Sequence, residues 1–304
     1  ALPSLPPGFI SFHETRLVGN SEQVMEVEVL TAAFVRTKAS SAVYTVRRLA
    51  REAGKYISLV VADCPHQASS SVGATGDEGG GCSPWGRPQF MNSIRLPIDV
   101  NDGELRGTRL VWFVSDQQLP ALLDACGAFS LQFRVFTWVQ PPSTEATGSS
   151  NAREGACELV ENTQHIVVGW KGGELDLFRD GERDPGRYCT AQCFAQLSEV
   201  ERVLDEAGRA VNACQKPADL MMRLLDMFVD EAPLIVDLTC GTGTTALAAG
   251  ERRSKSLGRE LRRKTGGAPI PRPGRPHVIM LDEEVKQLQA ARYRLEAWAE
   301  GGWD

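Results

Sequence analysis

Short apolar runs recur along the chain with polar or charged stretches between them. Val24 to Val35 alternates polar and apolar residues at first and then turns apolar, the pattern of a strand or of a strand plus a turn. Tyr56 to Ala62, Thr108 to Val114, Phe129 to Val139, Gln164 to Trp170, Leu234 to Val236 and Val278 to Leu281 read as further strands. Between them, Ser41 to Gly54, Leu119 to Gly127, Leu197 to Val211 and the stretch from Asp282 through Trp298 read as helices. Strands alternating with helices predict an α/β fold with a mostly parallel sheet. The remainder reads as connection. Residues 1–20 carry Pro3, Pro6 and Pro7 and predict an extended N-terminal arm. Residues 67–93 turn to Ser, Gly and Pro beside a strand end, which predicts a functional lid. Pro141 to Ala156 is low-complexity and predicts a surface loop. The aromatics at 129, 133, 136 and 138 are assigned to core packing.

Composition narrows the class. Hydrophobic residues make up 42% of the 304, enough for a sizeable core, and residues 21–304 are expected to form one domain. Net charge is −6, so a nucleic-acid ligand requires a local basic patch, not a global one. Such a patch stands between Glu251 and His277, where Arg252, Arg253, Arg259, Arg262, Arg263 and Lys264 are the candidate nucleic-acid contacts. Its alternative reading is a solvated loop. The eight cysteines are scattered, with no dense disulfide framework, which places the chain in a reducing, intracellular compartment. Cys189 and Cys193 have no matching second half, so no metal site is expected. No apolar run approaches the ~18 residues of a membrane-spanning helix, and no membrane association is expected.

The candidate chemistry centres on Leu234 to Ala249, LIVDLTCGTGTTALAA. A short buried strand ends at Asp237, a turn carries Gly241 and Gly243, and a small-residue helix follows. Glycines at a strand-to-helix turn let a ligand approach the backbone, and the helix start offers free amide groups. The spacing D-x-x-x-G-x-G differs from the dinucleotide fingerprint. Upstream stands Gln215-Lys216-Pro217, followed by Leu220, Arg223 and Leu224.

Together these two segments resemble the beta-class amino-methyltransferases, which modify exocyclic amines of adenine or cytosine in nucleic acids. The family run is "KP…L..RLI…vLDPFxGSGTTxxAA"; here Thr239-Cys240 replaces Pro-Phe and Thr242 replaces Ser. The resemblance implies a Rossmann-like fold with helices on both faces and S-adenosylmethionine as cofactor. It further implies a circularly permuted order: a catalytic half (21–170), a bridging segment (171–212) and a cofactor half (213–304). Asp63-Cys64-Pro65-His66, after a buried strand, resembles the family's catalytic "DPPY/DPPW" tetrad. In that reading Asp63 hydrogen-bonds the target amine, Pro65 shapes the turn and His66 stacks on the base. Lys216, Pro217, Asp237, Thr239, Gly241, Gly243 and Thr244 would hold the cofactor. An acid at position 63 favours adenine by family analogy. The segments "RLVWFVSDQQLPALLDACGAFSLQFRVFTWVQP" and "TQHIVVGWKGG", with His165 in the matched position, also resemble adenine-type members, so the likeness covers roughly residues 56–300.

The departures set up an alternative. Cys64 replaces a proline, His66 replaces an aromatic, and Met280 is read at the position of the ribose-binding Glu, with Asp282 or Glu283 as substitutes. A degenerate member that has not retained its cofactor would serve as a scaffold or RNA-binding subunit. The bridge between Trp170 and Gln215 is short for a sequence-reading domain, which implies a partner subunit or larger assembly. A small-molecule or protein methyltransferase ranks below both.

Overall fold

A computed structural model of the chain describes residues 9–19, 24–37, 42–65, 84–105, 107–139, 163–173, 191–193, 202–212, 214–229, 233–263 and 275–301. In chain order the described elements are β1 (Phe9–Gly19), β2 (Val24–Arg36), α1 (Val43–Ala53), β3 (Ile57–Asp63), α2 (Arg87–Val100), β4 (Arg109–Val114), α3 (Leu119–Ala128), β5 (Gln132–Val139), β6 (Thr163–Trp170), β7 (Ala191–Cys193), α4 (Ala218–Phe228), β8 (Leu234–Asp237), α5 (Thr244–Arg263), β9 (His277–Asp282) and α6 (Val285–Ala299).

The described strands form a single sheet in the order β1-β2-β9-β8-β3-β4-β6-β5-β7. From β2 to β4 the strands run parallel. β6 is antiparallel to both β4 and β5, β7 pairs parallel with β5, and β1 pairs antiparallel with β2. The sheet is covered on both faces, so its central strands are apolar throughout and not alternating. Leu59, Val61, Val111 and Phe113 pack with α4, α5 and α6. Val60, Ala62 and Trp112 point the other way and pack with α1, α2 and α3. This is the α/β arrangement that the alternating runs predict, and the Rossmann-like one that the resemblance implies.

The catalytic and cofactor halves do not form separate layers. β9, from the end of the chain, is inserted between β2 and β8, and β8 pairs directly with β3 (Val60 opposite Val236, Val61 opposite Asp237). From β8 the chain crosses through α5 to β9 on one side. From β3 it crosses through α2 to β4 on the other. Strand order therefore reverses between β8 and β3, and the crevice beyond their carboxyl ends is where open α/β sheets bind ligands.

Several expectations are corrected. Phe9–Gly19 is an edge strand of the sheet, not an arm. The expected lid ends at Arg87, where Pro88 in the first turn helps to start α2; residues 66–83 lie outside the described residues. The expected helix over 197–211 is absent from 202–212. There the Asp205 carboxylate accepts the backbone N–H groups of Ala207 and Arg209, Gly208 takes a left-handed φ of 72°, and Leu204 bridges to Ala210. A side chain that captures local amides in this way competes with helix formation. The basic stretch after Glu251 is not an inserted loop at its start, because α5 continues to Arg263. The low-complexity segment 141–156 and Cys189 lie outside the described residues, as does the side chain of Cys193. Among the 129–139 aromatics, Phe136 and Trp138 are core residues, with Phe136 edge-on to Phe228, while Phe133 faces solvent.

Candidate active site

The carboxyl ends of β8 and β3 meet at a solvent-open cleft of about 340 Å³ lined by Asp63, Phe113, Lys216, Asp237, Thr242 and Thr245, among others. The two halves of the expected site are joined by hydrogen bonds. Thr239 Oγ1, in the turn after β8, accepts the backbone N–H of Asp63 at 2.7 Å. Leu238 N–H donates to Val61 O at 2.8 Å. The Asp63 carboxylate receives the Lys216 ammonium at 2.5 Å. That ammonium also donates to Cys214 O at 3.1 Å and stands 5.3 Å from the centre of the Phe113 ring. Pro217 precedes the first turn of α4 with an extended backbone, which aims Lys216 back over the cleft.

The glycine turn is held from three sides. Asp237 accepts the N–H of Thr239 (3.2 Å) and the hydroxyl of Thr245 (2.5 Å). Burial pushes its carboxyl up to about 7, opposed by those two hydrogen bonds and assisted by the charges of Asp63 and Asp282. Gly241 N–H donates to Asp282 at 3.0 Å, and burial raises that carboxyl too. Gly243 has φ 77°, and a Cβ there would stand 2.8 Å from Ala291 Cβ, so the turn can touch α6 only with glycine at this position. Buried Arg294 donates to Thr244 Oγ1 at 2.8 Å, and Thr244 in turn donates to Lys216 O at 3.2 Å.

One expected position is corrected. Met280 is fully buried inside β9, opposite Asp237, and its side chain belongs to the core shared with α4–α6. The acid at the strand end is Asp282, two residues on.

The basic residues fare differently. Arg252 donates to Asp226 at 2.8 Å and to Val229 O, tying α5 to α4. Arg253 is 3% exposed. Neither presents a free surface, so the expected nucleic-acid contacts at these two positions are not supported. Arg259, Arg262 and Arg263 lie on the last turns of α5, up to about 29 Å along the helix from the glycine turn. Lys264 and His66 lie outside the described residues. Sequence reasoning missed Gln118, Thr245 and Arg294. Thr245 is adjacent to the glycine motif, Arg294 sits in the closing-helix frame, and Gln118 is marked only by a polar turn between strand and helix.

Whether the cleft fits a cofactor can be tested on the residues present. Thr242, between the two glycines, is 1% exposed and lines the cleft, and its hydroxyl has no hydrogen-bond partner among the described residues. A buried hydroxyl without a partner is costly unless a ligand supplies one. Together with the acid at each strand end, it suits a ligand rich in hydroxyl and amino groups. Among the described residues, no cluster of side chains suits a metal ion, and no helix is long and apolar enough to cross a membrane.

Comparisons agree with this layout. Over its length the fold is similar to the crystal structure of the M1.HpyAVI–SAM complex, at 13% identity and a TM-score of 0.53, covering 87% of this chain and 98% of that one. It is also similar to PvuII DNA methyltransferase (cytosine-N4-specific), at 12% identity and a TM-score of 0.52, covering 90% and 91%. No curated protein matches the chain. A family model described as DNA methylase matches residues 108–265, just over half of the chain and including β4, the glycine turn and α5. The chain belongs to the DNA methylase family.

Proposed function

We propose that the chain transfers a methyl group from S-adenosylmethionine to an exocyclic amine of a nucleic-acid base, with adenine as the base. The observation that carries this reading is the Asp63 carboxylate, fixed at the rim of the glycine-turn cleft by Thr239 from behind and faced by Lys216 at 2.5 Å. When bound, S-adenosylmethionine supplies an electrophilic methyl: its sulfur–carbon bond breaks as the nitrogen–carbon bond forms, and the amine nitrogen gives up one proton. The chain's residues do the rest. The Asp63 carboxylate accepts a hydrogen bond from the amine N–H, which localises the nitrogen lone pair otherwise spread into the ring. It is also the nearest acceptor for the departing proton. Lys216 holds that carboxylate at the rim of the cleft by an ion pair until the amine takes its place. Asp237 and Asp282 keep free lone pairs beside the glycine turn and would accept hydroxyl and ammonium hydrogens of the cofactor. Thr242 would supply or accept one further bond. His66 is assigned to base stacking by resemblance.

Nucleic acid as substrate follows from family membership and suits a base turned out of its stack, since the cleft sits at a sheet end where a single nucleotide can enter. Incubation with methyl-labelled S-adenosylmethionine and adenine- or cytosine-containing DNA and RNA, followed by nucleoside analysis, tests the proposal. Label on the adenine amine is expected; label on cytosine alone overturns the adenine assignment.

A second reading, a methyltransferase-fold subunit without catalysis that acts as a scaffold in an assembly, is favoured by one observation. Asp63, the only acid of the tetrad, already has a charged partner. Calorimetry with S-adenosylmethionine separates the two: no heat at millimolar cofactor supports the scaffold.

A further inference from the structure

We propose that Gln118 is a positioning residue for the catalytic turn, doing with hydrogen bonds what a second proline would do covalently. The inference rests on the reading of Asp63 and Pro65 given above. Gln118 stands at the start of α3, just beyond the end of β4, and is 5% exposed. Its amide nitrogen donates to Pro65 O at 2.6 Å and to Trp85 O at 3.4 Å. Its amide oxygen accepts the N–H and the hydroxyl of Ser115, at 3.1 and 3.3 Å. All of its hydrogen-bonding capacity is thus used, and the Ser115 bonds fix which way the amide faces. Pro65 O accepts a second bond from Trp85 N–H at 3.0 Å.

Two strand ends and two loop ends are therefore clamped at one carbonyl. The turn is held at each residue by a different element: Asp63 N–H by Thr239, Cys64 N–H by Phe113 O, and Pro65 O by Gln118 and Trp85. Cys64 itself cannot stiffen it. It lacks the ring constraint on φ, and its thiol, fully buried, reaches only the Ala62 carbonyl at 3.6 Å. Of these holds on the turn, the one from Gln118 is made by a side chain that also bonds Trp85, and Gln118 is not among the residues lining the cofactor cleft. Removing it should loosen Asp63 without touching the groups that hold the methyl donor.

The test compares wild type, Gln118→Met and Gln118→Glu. Gln118→Met keeps the side-chain length and removes the donor. Turnover is expected to fall by about 10- to 100-fold, the effect of a displacement on the order of 1 Å at a reacting group, with S-adenosylmethionine affinity unchanged by calorimetry. Gln118→Glu should be as slow at pH 8. It should recover as pH falls, because the introduced carboxyl, once protonated, again donates to Pro65 O. Hydrogen exchange at the Cys64 and Trp85 amides should quicken in Gln118→Met. Wild-type turnover in both variants overturns the proposal. So does a Gln118→Glu profile parallel to that of wild type at every pH, which is what a merely structural role gives. If the wild-type chain transfers no methyl group at all, the proposed function fails, and the exchange measurement still decides the clamp: unchanged amide protection overturns it.

Discussion

Asp63 and Thr239 are 176 residues apart in sequence, yet the hydroxyl of the second holds the backbone N–H of the first at 2.7 Å. That bond couples the acid to the glycine turn. It is possible because β3 and β8 pair in parallel, so that both strand ends emerge at the same point of the sheet. The backbone at 63 is thereby fixed, while its carboxylate, paired with Lys216, lines the cleft.

Asp63→Asn should abolish methyl transfer while S-adenosylmethionine still binds, because the cofactor groups at 237–244 and 282 are untouched. The amide keeps the size but presents an N–H where an acceptor is needed, and leaves Lys216 without its charge partner. Single-turnover assays beside calorimetry read both halves; retained turnover would exclude Asp63 from the chemistry.

Asp237 makes stability depend on pH. Burial raises its carboxyl from 3.8 to about 7. The folded state therefore holds the proton to higher pH than the unfolded chain does. The sign follows: this group's contribution becomes less favourable as pH rises from about 4 to about 7, and its cost is complete above that. Asp237→Asn should raise the Tm relative to wild type at pH 8 and lose that advantage near pH 4.5. A Tm difference that stays constant across the window would show that Asp237 ionises normally.

Gly243→Ala should destabilise the fold by about 1–3 kcal/mol and weaken S-adenosylmethionine binding. The residue has φ 77°, and the added Cβ would stand 2.8 Å from Ala291 Cβ, a contact with no flexible side chain to yield. Denaturant unfolding and calorimetry check the two effects. A stable variant that binds normally would show that the turn and α6 can separate freely.

Arg294→Met should cost about 2 kcal/mol of stability, the scale of a hydrogen bond from a charged donor, and should lower cofactor affinity. The guanidinium holds Thr244 Oγ1 at 2.8 Å, and Thr244 holds the backbone carbonyl of Lys216 at 3.2 Å. The loss thus passes from α6 to the residue facing Asp63. Urea titration together with cofactor titration measures it; an affinity equal to wild type would break the relay.

Much of the sheet was legible because buried parallel strands are short unbroken apolar runs. Tyr56 to Ala62 and Val278 to Leu281 could be little else between polar flanks. The glycine turn was legible for the same reason, since its spacing is imposed by a backbone that must curve away from a strand and start a helix. Four features were not. The 202–212 segment carries a helical spacing of apolar residues, but Asp205 captures its amides, a contest that periodicity does not register. Helix α5 runs on into the basic stretch as far as Arg263, with Arg252 on Asp226 and Arg253 buried, partners that come from tertiary packing. Met280 stands at the position expected of an acid, but its side chain packs in the core and the acid at the strand end is Asp282, a difference of facing that a run of apolar residues does not display. Gln118 left no trace in the pattern, because its partners are main-chain carbonyls, which any sequence supplies.

The order of strands also governs how the molecule is assembled. The centre of the sheet, β8 and β9, is made from the last quarter of the chain, while its neighbours β2 and β3 are synthesised long before. Until those late strands arrive, two apolar strands have open edges facing each other across an empty slot, and such edges recruit one another between molecules. During its synthesis this protein should depend on chaperones more than a sheet built outward from its middle, and a break between α4 and β8 should leave it insoluble rather than merely inactive.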